Sequence, residues 1–209
     1  MGNSHFSRFS WFVFVAGLLS ALGCTATTRE ARFYKLNSLT SPQSTADTPG
    51  TGASVAIGIG PINFPDHLDR PEIVTRTSGN ALQLGEFDRW AGSLEKDFSR
   101  VLAENLSILL STDYVFMFPF TQAAPIDYRV EVEVVRFDGE LGKSATLIAR
   151  WTIWEGGEQK ELKSVRRSNI MEPAESKGYE AMVAAMSRTV EDLSREMAET
   201  IKALSQRGN

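Results

Sequence analysis

The chain has 209 residues, 42% of them hydrophobic and 23% charged, the composition of a globular protein long enough for one domain with a real core. A net charge of −4 and the lack of any run rich in lysine or arginine exclude an electrostatic footprint for phosphates, so nucleic acid is not an expected partner. A single cysteine excludes an intramolecular disulfide, and two isolated histidines, His5 and His67, leave no ligand set for a Cys/His zinc site.

The first ten residues carry one arginine, Arg8, and no acid; Trp11 to Leu22 is apolar, and the run closes on Ala21-Leu22-Gly23-Cys24. A short positive region, an apolar core of about a dozen residues and a small residue at the cut define a secretory signal. The core is too short for a bilayer span, which takes roughly 20 apolar residues. The alternative is an N-terminal anchor helix with an incidental cysteine. A small residue directly before the only cysteine resembles a bacterial lipobox, with Leu22 bulkier than is usual at its place. That resemblance implies a signal over residues 1–23, a lipidated tether over 24–31, and Cys24 carrying a diacylglycerol thioether and an amide-linked acyl chain such as palmitate. Each buried CH₂ adds ~0.8 kcal/mol of membrane affinity, so three chains anchor where one would not. Thr25 stands where aspartate would resemble an inner-membrane retention signal, which favours the periplasmic face of the outer membrane.

Along the mature chain, Arg32 to Leu36 has strand composition, and Ser38 to Gly52, rich in Ser, Thr, Pro and Gly, reads as a loop. Ala53 to Ile59 is a second strand, with Val55, Ile57 and Ile59 on one face. Pro61, Pro65 and Pro71 each remove a backbone donor, so no helix or interior strand is expected through that stretch. Ile73 to Arg76 resumes strand character, and Ser78-Gly79-Asn80 turns the chain back along Ala81 to Leu84. A helix is expected from a capping Asp88 to Leu110, ~35 Å long, with Trp90, Leu94, Phe98, Val101, Leu102, Leu106 and Leu109 on one face.

Tyr114 to Phe118 is a short apolar strand ended by Pro119. Tyr128 to Phe137 and Ser144 to Trp154 alternate as half-buried strands, with Asp138-Gly139 and Gly156-Gly157 as turns. Lys160 to Ile170 is a more polar strand nearer an edge. A last helix runs from Gly178 or Tyr179 to about Leu204; its Met182, Met186 and Met197 read as a soft binding groove or, since they continue the Val and Leu stripe, as core packing, the favoured reading. The expected fold is a two-layer α+β domain over residues 32–209, a mostly antiparallel sheet covered by two long amphipathic helices.

Little in this pattern carries catalysis. Asp66 and Asp69 lack a base or metal ligand nearby and read as turn residues. Gly58-Ile59-Gly60 opens like a dinucleotide fingerprint, but Asn63 replaces the third glycine. Asp69, Arg70, Asp88 and Arg89 read either as a charge-paired clasp holding the loop against the helix or as a partner-docking surface. Phe64 and Trp90 are packing or exposed anchors.

These residues resemble the ABC-type transport auxiliary lipoproteins, the PqiC-like family, over nearly the whole mature chain. Phe33-Tyr34-Lys35-Leu36 is similar to its opening strand, and Phe64 to Arg76, with LDRP running into IVTR, to its most specific motif. Arg89-Trp90-Ala91 with Leu94, Ala103 to Leu106, Arg136-Phe137-Asp138-Gly139 and Trp151 resemble further markers. His67 stands where tyrosine is common, and Gly92-Ser93 where Glu-Pro is frequent. The resemblance implies a domain akin to the TolB N-terminal domain and a non-enzymatic, lipid-anchored subunit of a lipid-transport system with an inner-membrane permease and an ATPase. Its partner would be an MCE-domain protein, with neighbouring copies of the lipoprotein as a further partner. No cofactor is implied beyond the lipid on Cys24. Docking would fall to Phe64, Pro65, Asp66, Leu68, Asp69, Arg70, Pro71, Arg76, Arg89 and Trp90. The rival expectation is a carrier holding an acyl chain between helices and sheet.

Overall fold

The computed structural model describes residues 29–40, 55–120, 125–156 and 161–207. The signal, Cys24 and the Gly156-Gly157 turn beyond Gly156 lie outside them, as does most of the loop read after Ser38. Among the described residues, eight strands and two helices follow in order: β1 (Arg32–Tyr34), β2 (Ile57–Asn63), β3 (Glu72–Arg76), β4 (Leu82–Trp90), α1 (Leu94–Leu110), β5 (Val115–Met117), β6 (Tyr128–Glu140), β7 (Ser144–Glu155), β8 (Glu161–Pro173) and α2 (Tyr179–Arg207). A single 3₁₀ turn, Asp66–Leu68, interrupts the loop between β2 and β3.

β6 is the hub of the sheet. One of its edges carries β7 and then β8, both antiparallel. Its other edge carries β2 along Tyr128 to Glu133 and touches β3 at Gly139, both parallel. Beyond them lie β5 on one flank and β4 then β1 on the other. Most paired residues belong to the antiparallel β6–β7–β8 meander, so the α+β reading stands, with parallel pairings at the flanks. β8 pairs only with β7, the edge position its polar sequence implied.

Both helices cover the same face. α1 packs on β2 and β5, and α2 on β6, β7 and β8. Where they meet, the buried Asn105 Nδ2 donates to Ser194 Oγ at 3.2 Å. Phe98, Phe137 and Phe64 interlock edge to face, with centroids 5.2 to 6.3 Å apart, in the favoured aromatic geometry. Trp151, Leu147, Met182, Met186 and Met197 are fully buried between the layers, so the methionine stripe is packing. These side chains fill the interior that an acyl-chain carrier would need.

Three expectations are corrected. The helix begins at Leu94, not Asp88: Trp90 N donates to Pro71 O and Ala91 N to Tyr34 O, each at 2.8 Å, so Asp88 to Trp90 finish β4. Ser93 is the cap, accepting from Lys96 N, and the 17-residue helix is ~25 Å long. Trp90 matched the helical stripe only because it reaches the core from the strand just before it.

Asp138-Gly139 is not a turn; β6 runs on to Glu140, and the chain reverses around Gly142, whose φ is +74°. Gly139 serves close packing instead, because a Cβ there would stand 2.8 Å from Met182 Cγ. A register shift between Val134 and Arg136 re-phases β6, so that Phe137 points inward again.

Pro61 does lie in an interior strand. β2 is flanked by β5 and β6 from Ile57 to Ile59, but its register on β6 shifts between Ile59 and Ile62. Proline occupies that irregularity, where a missing N–H costs no ladder bond.

Candidate docking surface

The loop after β2 is stiffened from within. Leu68 N donates to Pro65 O at 2.9 Å, Asp69 N to Asp66 O at 3.1 Å and Arg70 N to Leu68 O at 2.9 Å. Leu68, 3% exposed, plugs the loop into the core, while Phe64 packs on Phe98 and Phe137. Trp90, 5% exposed, is also a core side chain. Phe64, Leu68 and Trp90 therefore hold the surface in place and do not form it.

The charged residues divide as well. Arg76 clamps the carboxylate of Asp138 at 2.7 Å, and Arg136 reaches the same group at 2.8 Å; the Asp138 side chain is 1% exposed. That bond holds the Arg76 guanidinium above its ordinary pKa. Arg89 faces Glu72 across the β3–β4 ladder at 3.8 Å. Asp88 binds Arg32 at 2.9 Å and accepts from the Tyr34 hydroxyl at 2.8 Å. Burial, and then the bond to Asp88, push the Tyr34 phenol up to about 12. Asp88 and Arg89 thus pair with β1 and β3, and the clasp onto Asp69 and Arg70 does not form.

What stays on the surface is a short rim. Asp66, His67, Asp69 and Pro71 are exposed, Pro65 and Arg70 half-buried. Asp69, Arg70 and Pro71 face Ala91, Gly92 and Ser93 across a shallow cleft of about 310 Å³ floored by Trp90 and Leu94. Arg70 Nε lies buried there without a hydrogen-bond partner among the described residues. On the other side of the same Ala91–Ser93 turn, a second cleft of about 360 Å³ runs under Tyr34 and Lys35 to Lys96 and Asp97.

Two residues not singled out in the sequence build that second wall. Asp97 Oδ2 accepts from Leu36 N at 2.6 Å, and Arg100 donates to Leu36 O at 2.9 Å, so one helical turn grips the backbone after β1. Arg100 also binds Asp97 and Glu104. Spacing on α1 signals only those last pairs; the grip on Leu36 joins positions more than sixty residues apart.

The rim joins a rigid backbone, an arginine whose buried Nε is under-bonded and an exposed proline. Its two aspartates, Asp66 and Asp69, face solvent.

Comparison with known proteins adds to the geometry. Residues 34–198 match the model of a family described as the ABC-type transport auxiliary lipoprotein component. The chain is 24% identical over 195 residues to the intermembrane transport lipoprotein PqiC of Escherichia coli strain K12, covering 93% of this chain and 98% of that one. The PqiC of Shigella flexneri matches to the same extent. A crystal structure of an uncharacterized protein superposes with a TM-score of 0.67 at 18% identity, over 83% of this chain and 99% of that one. A Xanthomonas campestris protein superposes at 0.64 with 16% identity, over 84% and 99%. These two likenesses concern the fold.

Proposed function

Because this chain belongs to the ABC-type transport auxiliary lipoprotein component family, we propose that it is the non-enzymatic, lipid-anchored subunit that docks an MCE-domain protein for lipid transport between the inner and outer membranes. The coarse role, an auxiliary of a transport system, comes with the family. The finer assignments rest on this chain's own residues. Cys24 takes the lipid, because it follows a small residue at the end of an apolar signal core. No helix among the described residues is long and apolar enough to cross a membrane; in this reading the lipid on Cys24 holds the domain at the periplasmic face of the outer membrane.

The observation that carries the docking role is the rim itself. Asp69, Arg70 and Pro71 are held against Ala91, Gly92 and Ser93 by the bond from Trp90 N to Pro71 O, so the cleft is preformed. A preformed surface binds without the ordering cost of a mobile loop. Asp66 and Asp69 serve as polar contacts in this role.

The test is co-purification from membranes with the MCE-domain protein of the same organism, using the wild type and Arg70→Glu. Docking requires the wild type to retain the partner and the charge reversal to lose it while unfolding at a near-normal midpoint. Retention by both removes the rim from the interface. Replacing Cys24 with Ala tests the anchor separately: the protein must leave the membrane fraction.

A further inference from the structure

β1 is where the chain from Cys24 enters the sheet, and alone it is a weak attachment. It has 3 residues, lies at the sheet edge and pairs only with Asp88 to Trp90 of β4. The first residues of a domain fray unless something ties them down. Here the tie follows β1. Leu36 is held at three points: its N–H donates to Asp97 Oδ2 at 2.6 Å, its carbonyl accepts from Arg100 at 2.9 Å, and its side chain is fully buried. Asn37 N then donates to Ser187 Oγ on α2 at 3.1 Å, and Leu39 N to Asn105 Oδ1 on α1 at 2.7 Å.

These grips are costly to release. Asn105 and Ser187 are 0% and 7% exposed, so stripping the segment away takes hydrogen-bond partners from two buried groups. Asn105 also joins Ser194, so Leu39 is fastened where α1 meets α2. A strand ladder pulled from its end opens one bond at a time. A pull on Leu36 must instead break two hydrogen bonds and withdraw a buried side chain together.

The function proposed above puts a pull on this segment. The lipid on Cys24 fixes the chain to one membrane, and the docked partner belongs to a system that reaches the other. Relative movement of the membranes then pulls between Cys24 and the Ala91–Ser93 turn. β1 meets that turn directly, because Ala91 N donates to Tyr34 O at 2.8 Å. Peeling of β1 would therefore strip one side of the docking turn.

We infer that Leu36 to Leu39 is a strap that passes the pull of the anchor into α1 and α2 and keeps β1 seated beside the docking turn. This role rests on the lipidation and docking proposed above.

The chain from Cys24 to Asn209 is made without its signal, so that the Cys24 thiol stays free. Gly92→Cys adds a second thiol on the docking turn, where a Cβ meets nothing within 4 Å. DNA handles on the two thiols are pulled apart in optical tweezers. The strap requires one unfolding step. Asn105→Ala, and Ser187→Ala as the milder change, should each add an earlier step at lower force that frees the chain from Arg32 to Ser54, roughly 80 Å when extended. Thr112 Oγ1 donates to Val55 O at 2.9 Å and ends the release there. An early step of that length with the strap unsubstituted overturns the inference. So does a single step at unchanged force in Ser187→Ala, which decides the matter alone if Asn105→Ala does not fold. Mass spectrometry that finds no lipid on Cys24 in cells removes the pull and overturns the role, whatever the tweezers record. Loss of docking alone, with the lipid present and the single step intact, overturns the docking reading and with it the pull between membranes.

Discussion

Arg76 and Asp138, 62 residues apart, meet at 2.7 Å in a nearly buried ion pair. Each closes a stretch that carries the family resemblance: Arg76 ends the LDRP–IVTR segment, and Asp138 sits in Arg136-Phe137-Asp138-Gly139. The two stretches are halves of one structural clamp that ties β3 to β6. Removing the carboxylate strands two guanidinium groups, so Asp138→Ala should cost ~3–5 kcal/mol, the usual penalty for breaking a buried pair from one side. Urea denaturation measures it. A loss of only ~0–1 kcal/mol, as for surface pairs, would contradict a structural clamp.

The Tyr34 phenol makes stability fall at high pH. Its folded-state pKa is raised to about 12 from an ordinary 10, so the native state holds the proton more tightly than the unfolded chain. The contribution is complete below pH 10 and disappears as pH rises through about 12. Tyr179, raised by burial and by the charge of Asp88, acts in the same direction. Tyr34→Phe should therefore be less stable than the wild type at neutral pH and flatter between pH 10 and 12, in denaturant midpoints taken across that range. Parallel curves would remove the phenol from the linkage.

Gly60 and Gly92 separate backbone need from open space. Gly60 has φ of +109°, and a Cβ there would stand 2.7 Å from Phe118 Cβ, whereas a Cβ on Gly92 meets nothing within 4 Å. Gly60→Ala should cost ~1–3 kcal/mol, and Gly92→Ala about ±0.5 kcal/mol or less. Thermal unfolding of the pair checks both, and equal effects would contradict the packing around β5.

The two layers, the meander and both amphipathic helices were legible because their periodicity is local: Val130, Val132 and Val134, or Met182, Met186 and Val190, announce their faces over a few residues. Errors fell where one signal serves two structures. Trp90, Leu94 and Phe98 keep helical spacing although a strand ends at Trp90. Gly139 looks like a turn glycine, yet it makes room for Met182, and nothing near it in sequence says so. Pro61 is admitted to β2 by a register shift that only β6 reveals. The residues from Phe64 to Trp90 that the sequence grouped together divide into plugs (Phe64, Leu68, Trp90), clamps (Arg76, Arg89) and rim (Asp69, Arg70, Pro71), and that division depends on partners far along the chain.

The helix start gives a prediction that separates the two readings of Asp88. Ser93→Ala removes the cap and should lower stability by ~0.5–1 kcal/mol, the low end because the bond to Lys96 N is 3.4 Å long. Asp88→Ala should cost more, since it releases Arg32 and Tyr34 and loosens β1 on β4. Hydrogen exchange locates the damage: at the first turn of α1 for Ser93, at β1 for Asp88. Damage from Asp88→Ala confined to α1 would restore it as the cap.

The docking role is tested most directly by blocking the cleft without touching the core. Gly92 lies on the rim in open space, so Gly92→Trp can fill the cleft between Ala91 and Pro71 while the fold stays intact. Lipidated wild-type and Gly92→Trp proteins are purified from membranes and the co-purifying MCE-domain protein is quantified. The account predicts recovery of the partner with the wild type, and its loss with Gly92→Trp at an unchanged unfolding midpoint. Equal recovery of the partner with both proteins would contradict it.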